Sequence, residues 1–81
     1  MAYAVSFKAS ALKRIEKLPK SIASRVLRKA NALTDNPRPS GCTKLQGAGD
    51  LWRVRVGDYR IVYAIDDDGQ TVDVRIVAHR R

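Results

Sequence analysis

The chain has 81 residues, a length that fits one domain and leaves only a modest core, about 60% of the unfolded surface being buried at this size. Sixteen Lys and Arg against eight Asp and Glu give a net charge of +8, which points to a polyanionic partner, either nucleic acid or an acidic protein. The single cysteine, Cys42, excludes an internal disulfide and a cysteine-based metal cluster, and with one histidine in the chain no metal or other cofactor is expected.

Tyr3, Val5 and Phe7 alternate with small residues in a short opening strand. The period then changes to that of an amphipathic helix over residues 9–18, with Leu12, Ile15 and Leu18 on the apolar side and Lys13, Arg14, Glu16 and Lys17 outside. Pro19 ends it, because proline disfavours helical geometry in the residue before it. A second helix is expected over 21–34, with Ile22, Val26, Ala30 and Leu33 inward and Arg25, Arg28 and Lys29 solvated outside. The link between the helices is so short that they should lie antiparallel. No apolar run is long enough for a membrane span, and the N-terminus lacks the charged-then-apolar order of a signal peptide, so a cytoplasmic protein without membrane contact is expected.

Asn36-Pro-Arg-Pro-Ser-Gly41 marks the passage from helix to sheet. A short extended piece around residues 43–45 and a glycine-rich loop precede the most informative stretch, Leu51-Trp-Arg-Val-Arg-Val-Gly-Asp-Tyr-Arg-Ile-Val-Tyr63. A two-residue turn at Gly57-Asp58 sets Val56 opposite Tyr59, Arg55 opposite Arg60, Val54 opposite Ile61, Arg53 opposite Val62 and Trp52 opposite Tyr63. One face of this hairpin is apolar and the other carries arginine. Like charges directly opposite are destabilising by up to about 1 kcal/mol, so an anion belongs between Arg55 and Arg60, and phosphate matches a guanidinium fork best. After the acidic turn Asp66-Asp-Asp-Gly-Gln70 a last strand over 71–79 follows. Pairing Ile65 with Val72, Tyr63 with Val74 and Ile61 with Ile76 places Arg75, Val77 and His79 on the open face beside Arg53, Arg55 and Arg60. By the same parity Trp52, Tyr59 and Tyr63 are packing residues. The expected architecture is α+β: one domain over residues 1–81, a small antiparallel sheet in the order β-α-α-β-β-β, with both N-terminal helices covering one face.

Several segments together resemble the RelE/ParE superfamily of toxins from bacterial type II toxin–antitoxin pairs. They are the opening strand followed by Ala11-Leu-Lys and Leu18-Pro, the segment Lys44-Leu-Gln-Gly47, the hairpin Trp52 to Tyr63 and the terminal Val77-Ala-His-Arg-Arg81. The resemblance covers most of the chain, and its RelE branch implies a ribosome-dependent endoribonuclease that cuts messenger RNA in the decoding site. The ParE branch implies a non-catalytic inhibitor of DNA gyrase. It further implies a cognate acidic antitoxin, encoded beside the toxin gene. Position by position, the RelE pattern places its basic strand residues on Arg53 and Arg55, its post-tyrosine arginine on Arg60 and its terminal basic residue on Arg80. Many members continue for several residues past the position of Arg81 to a further tyrosine implied to assist proton transfer, which throws weight for that role onto His79.

Metal-free RNA cleavage removes a proton from the 2′-hydroxyl, passes through a more highly charged phosphorane-like state and returns a proton to the 5′-oxygen. On the RelE-like reading Arg60 takes the scissile phosphate, Arg53 and Arg55 hold its neighbours, Arg80 closes the strand end and His79 moves a proton. Lys44, Arg75 and Arg81 are further candidates for phosphate contact. The competing readings are the gyrase inhibitor and a nucleic-acid binding module with no toxicity.

Overall fold

The structure, a computed structural model, describes residues 2–47 and 49–79. The hydrophobic pattern folds into β1 (Ala4–Phe7), α1 (Ala9–Glu16), α2 (Lys20–Ala32), β2 (Thr43–Lys44), β3 (Leu51–Val56), β4 (Tyr59–Asp66) and β5 (Thr71–His79). The five strands form one sheet in the order β1-β5-β4-β3-β2. It is antiparallel from β2 through β5, as the hairpin patterning requires. The opening strand departs from the all-antiparallel expectation: β1 runs parallel to β5, with Val5 beside Val72 and Phe7 beside Val74. A parallel neighbour needs a long crossover, and here the rest of the chain supplies it.

The two helices and the apolar sheet face enclose the core. Val26, Ala30 and Leu33 of α2 and its C-terminal cap are fully buried against Ile61, Tyr63, Val72 and Val74. In α1 the buried stripe is Ala11 and Ile15, with Leu18 partly buried, whereas Leu12 is 42% exposed. The expected Leu12–Ile15–Leu18 stripe is therefore rotated by one residue, because positions four and seven apart share a helix face as readily as positions three apart. Where α2 ends, the Tyr63 hydroxyl donates to the buried Pro37 carbonyl at 2.8 Å and pins the proline-rich loop to the middle of the sheet. Burial pushes the Tyr63 phenol far above its ordinary pKa, with Cys42 adding to the effect.

A second clamp holds the loop from outside. Arg38 makes a two-pronged contact with Asp67, at 3.2 Å and 2.9 Å, and the Tyr3 hydroxyl donates to the same carboxylate at 2.7 Å. The Arg38 guanidinium also lies 4.9 Å from the centre of the Trp52 ring. The residue before β1, the 36–41 loop, β3 and the β4–β5 turn thus meet at the Arg38–Asp67 pair. No helix among the described residues is long and apolar enough to cross a membrane.

Candidate nucleic-acid interface

The hairpin that carries the arginines forms in the expected register. All five cross-strand pairs occur, Arg55 opposite Arg60 among them. Gly57 takes φ +58° while Asp58 stays out of the left-handed region, the sign pattern of a type II′ turn, whose twist matches that of paired strands. Arg53, Arg55 and Arg60 consequently share the sheet face turned away from the helices. Arg55 is exposed, and Arg53 and Arg60 are half-buried. No ion pair among the described residues engages Arg53 or Arg55.

Between them lies Val62, opposite Arg53 on the same face, only 7% exposed and outside the main core. The arginines therefore stand on an apolar floor, where their field is less screened than above open water. At the other end this face turns acidic: Asp50, Asp66 and Asp73 line a hollow of about 350 Å³ with Leu51, Ala64 and Thr71. The surface is graded from cationic at the β3–β4 turn to anionic at the β4–β5 turn.

Among the described residues, three remaining candidates, His79, Arg75 and Lys44, do not join this cluster as freely as the sequence pattern implies. The β4–β5 ladder is interrupted between Val62 and Tyr63: Tyr63 pairs with Val74 as expected, but Val62 pairs with Ile76 and Ile61 with Val77, leaving Arg75 as the extra residue of a bulge. One inserted residue exchanges the faces of everything beyond it. Val77 turns inward at 4% exposure, Ile76 turns outward at 50%, and His79 pairs with Tyr59 on the helix side. His79 packs edge-on against Tyr59, ring centres 5.1 Å apart, in a hollow shared with Ile22 and Arg25 of α2. It is not on the arginine face. The bulge sits where β1 departs: Lys8 N–H donates to the Val74 carbonyl at 2.8 Å and the chain enters α1, so β5 loses its outer neighbour at the next residue and can bend.

Arg75 does lie on the open side, but its Nε donates to Asp73 at 3.2 Å, which offsets its charge. Lys44 pairs with Trp52, and its ammonium lies 5.9 Å from the centre of that ring, on the face opposite the arginines. Trp52 is half-buried between two cations, Arg38 and Lys44, in keeping with a packing rather than a base-stacking position. Arg80 and Arg81 fall outside the described residues.

Three cations that the sequence pattern assigned to solvent are drawn into the site's margin. Arg25, Arg28 and Lys29 of α2 line a groove of about 460 Å³ together with Arg55 and Val56 of β3. A Cβ on Gly57 would stand 3.1 Å from the Arg25 guanidinium, so glycine lets that side chain lie against the turn. Helical periodicity alone could not have found this groove, since it exists only where α2 crosses the end of β3.

A family model described as ParE toxin of the type II toxin-antitoxin system parDE matches residues 5–81. Toxin RelE of Mycobacterium tuberculosis is 34% identical over 79 residues, spanning 96% of this chain and 81% of that protein. Among solved structures, the archaeal RelE-RelB complex from Pyrococcus horikoshii superposes with a TM-score of 0.87 at 30% identity, covering 99% of this chain and 97% of that one. The intact Escherichia coli RelBE toxin-antitoxin complex superposes at 0.84 and 28% identity, with 99% of each chain covered. With the α+β architecture, the hairpin register and the match over nearly its full length in agreement, this chain belongs to the RelE/ParE superfamily as a RelE-like toxin of a type II toxin–antitoxin system.

Proposed function

We propose that the chain is a ribosome-dependent messenger RNA endoribonuclease that inhibits translation and is silenced by a cognate antitoxin. The observation that carries this reading is the pairing of Arg55 with Arg60 across one hairpin, on a face with Val62 as its floor and Arg53 at its side. Two guanidinium groups facing each other repel, and a backbone phosphate held between them relieves that repulsion.

On this reading Arg60 contacts the scissile phosphate while Arg55 and Arg53 hold the flanking backbone. Each fixed cation favours the transition state, whose phosphoryl oxygens carry more charge than those of the substrate, and needs no reorganisation as that charge develops. On this reading His79 is not assigned the proton transfer, since it pairs with Tyr59 on the helix side of the sheet and not beside the arginines. The small cation cluster provides charge and grip, and the ribosome provides the orientation of the 2′-hydroxyl toward phosphorus, a contribution worth several kcal/mol in well-aligned systems. The antitoxin reading draws support from the relatives solved as complexes with theirs.

The test is in vitro translation of a defined messenger with purified toxin, followed by mapping of the cut sites by primer extension. The wild-type chain should cut only ribosome-bound messenger. Arg60→Ala should slow cutting by about 10²- to 10³-fold, the usual effect of removing one transition-state donor, with an unchanged thermal melt. Intact messenger together with gyrase-dependent DNA breaks would move the protein to the ParE-like activity.

A further inference from the structure

The sheet face turned away from the helices carries opposite charge at its two ends. Arg55 and Arg60 stand at the β3–β4 turn, Asp50 and Asp66 at the far end, and Val62 and Ala64 fill the length of β4 between them. Ile76 adds an apolar side chain that is 50% exposed. Asp73 and Arg75 lie here as well, but at 3.2 Å they offset each other. One carboxylate oxygen of Asp66 accepts from the N–H groups of Asp68 and Gly69, which fixes that group at its end of the face.

The order of these residues has a symmetry. Positions 60, 62, 64 and 66 of β4 share the face and read Arg, Val, Ala, Asp, so the two charges lie three residues either side of Tyr63. A two-fold axis in the plane of the sheet, perpendicular to the strands at Tyr63, lays a second copy face-down with its strands reversed. Asp66 of each copy then lies over Arg60 of the other, Asp50 lies close to Arg55, and Val62 meets Ala64 at the centre. Every contact occurs twice, as an isologous interface requires. Stacked sheets stand about 10 Å apart, which is the reach of an arginine and an aspartate meeting end to end. We propose that two copies of this chain associate in this way, each placing carboxylates where the other's Arg55 and Arg60 hold an anion.

A second copy fits better than an unrelated partner because one surface supplies both signs in the order that a two-fold axis needs. Much of the chain's surplus positive charge lies on α1 and α2, a layer behind the interface, where salt with a screening length of about 8 Å damps the repulsion between copies. Six residues along the strands and four strands across give a footprint of roughly 400 Å² per copy. That is the low end for specific association, so the dimer is weak and reversible. Its consequence rests on the toxin reading above: the dimer covers the arginines that the messenger needs, so concentrated toxin is stored inactive and dilution releases it.

The experiment is sedimentation equilibrium of the full chain at rising concentration, up to about 500 µM, where a weak dimer is populated. The wild-type chain should pass from monomer to dimer, and excess decauridylate, competing for the same arginines, should return it to monomer. Asp66→Asn keeps the oxygen that holds the turn and loses only the charge; it should weaken the dimer by about tenfold or more, because two contacts go at once. A chain with Asp50→Lys and Asp66→Lys should stay monomeric, as should one with Arg55→Glu and Arg60→Glu, yet an equimolar mixture of the two should dimerise. A wild-type chain that stays monomeric throughout, a dimer that survives Asp66→Asn undiminished or decauridylate in excess, or reversed chains that fail to pair would each overturn the proposal. Failure of the wild-type chain to cut messenger would refute the nuclease reading alone, because sedimentation does not depend on cleavage.

Discussion

Replacing Val77 with Thr and, separately, Ile76 with Thr tests the bulge that sets which face each residue of β5 presents. Val77 is 4% exposed and lies opposite the fully buried Ile61, whereas Ile76 is 50% exposed. Threonine has nearly the shape of valine and suits a strand, so Val77→Thr chiefly buries a hydroxyl with no partner in the apolar layer. That costs about 1–3 kcal/mol. In a domain of this size it lowers the melting temperature by roughly 4–8 °C for each kcal/mol. Ile76→Thr loses two carbons that are about half solvated, and its hydroxyl reaches water, so its cost is about 0.8 kcal/mol. Urea titrations followed by far-ultraviolet circular dichroism should therefore give a clearly lower midpoint for Val77→Thr, with the same slope for both variants. In an uninterrupted ladder Ile76 would be the inward residue. Ile76→Thr would then cost about 3 kcal/mol or more, from lost packing plus the buried hydroxyl, and Val77→Thr next to nothing. That reversed order would refute the bulge and return His79 to the arginine face.

Further outcomes follow from the same geometry. His79→Ala should leave messenger cutting reduced by less than tenfold in single-turnover assays on programmed ribosomes; a loss of about 10² or more, typical of a removed proton-transfer group, would contradict its placement under α2. Asp67 is held below the ordinary carboxylate range first by Arg38 and then by Tyr3, so the folded chain binds this proton more weakly than the unfolded chain. The clamp's stabilisation is thus present above the ordinary carboxylate pKa and is lost as pH falls through the lower folded value. Asp67→Asn should lower the urea midpoint near neutrality and meet the wild-type curve in acid, and a gap that stays constant with pH would refute the linkage. Tyr63→Phe leaves the Pro37 carbonyl without its donor and should cost about 1–3 kcal/mol in chemical denaturation; a neutral substitution would show that the loop is held by other means.

What could be read from the residue order was local. The two-residue turn at Gly57-Asp58 fixes the register of β3 on β4 by its own geometry, so the facing of Arg55 and Arg60 is legible in the hairpin's residues alone. The inward set of α2 is legible for a similar reason: a helix of 13 residues with one clear apolar stripe has a single way to face a sheet. The membership of β5 in two faces is not. Val74, Ile76 and Val77 are all apolar, and alternation continues smoothly through either frame, so the sequence leaves both registers open. Only the departure of β1 at Val74 and the bend it permits selected Val77 for the interior and took His79 away from the arginines. The parallel pairing of β1 with β5 and the groove joining Arg55 to α2 are likewise contacts between distant segments. They depend on how the layers pack in three dimensions, and a one-dimensional pattern records periodicity along the chain but not which stretches come to lie side by side.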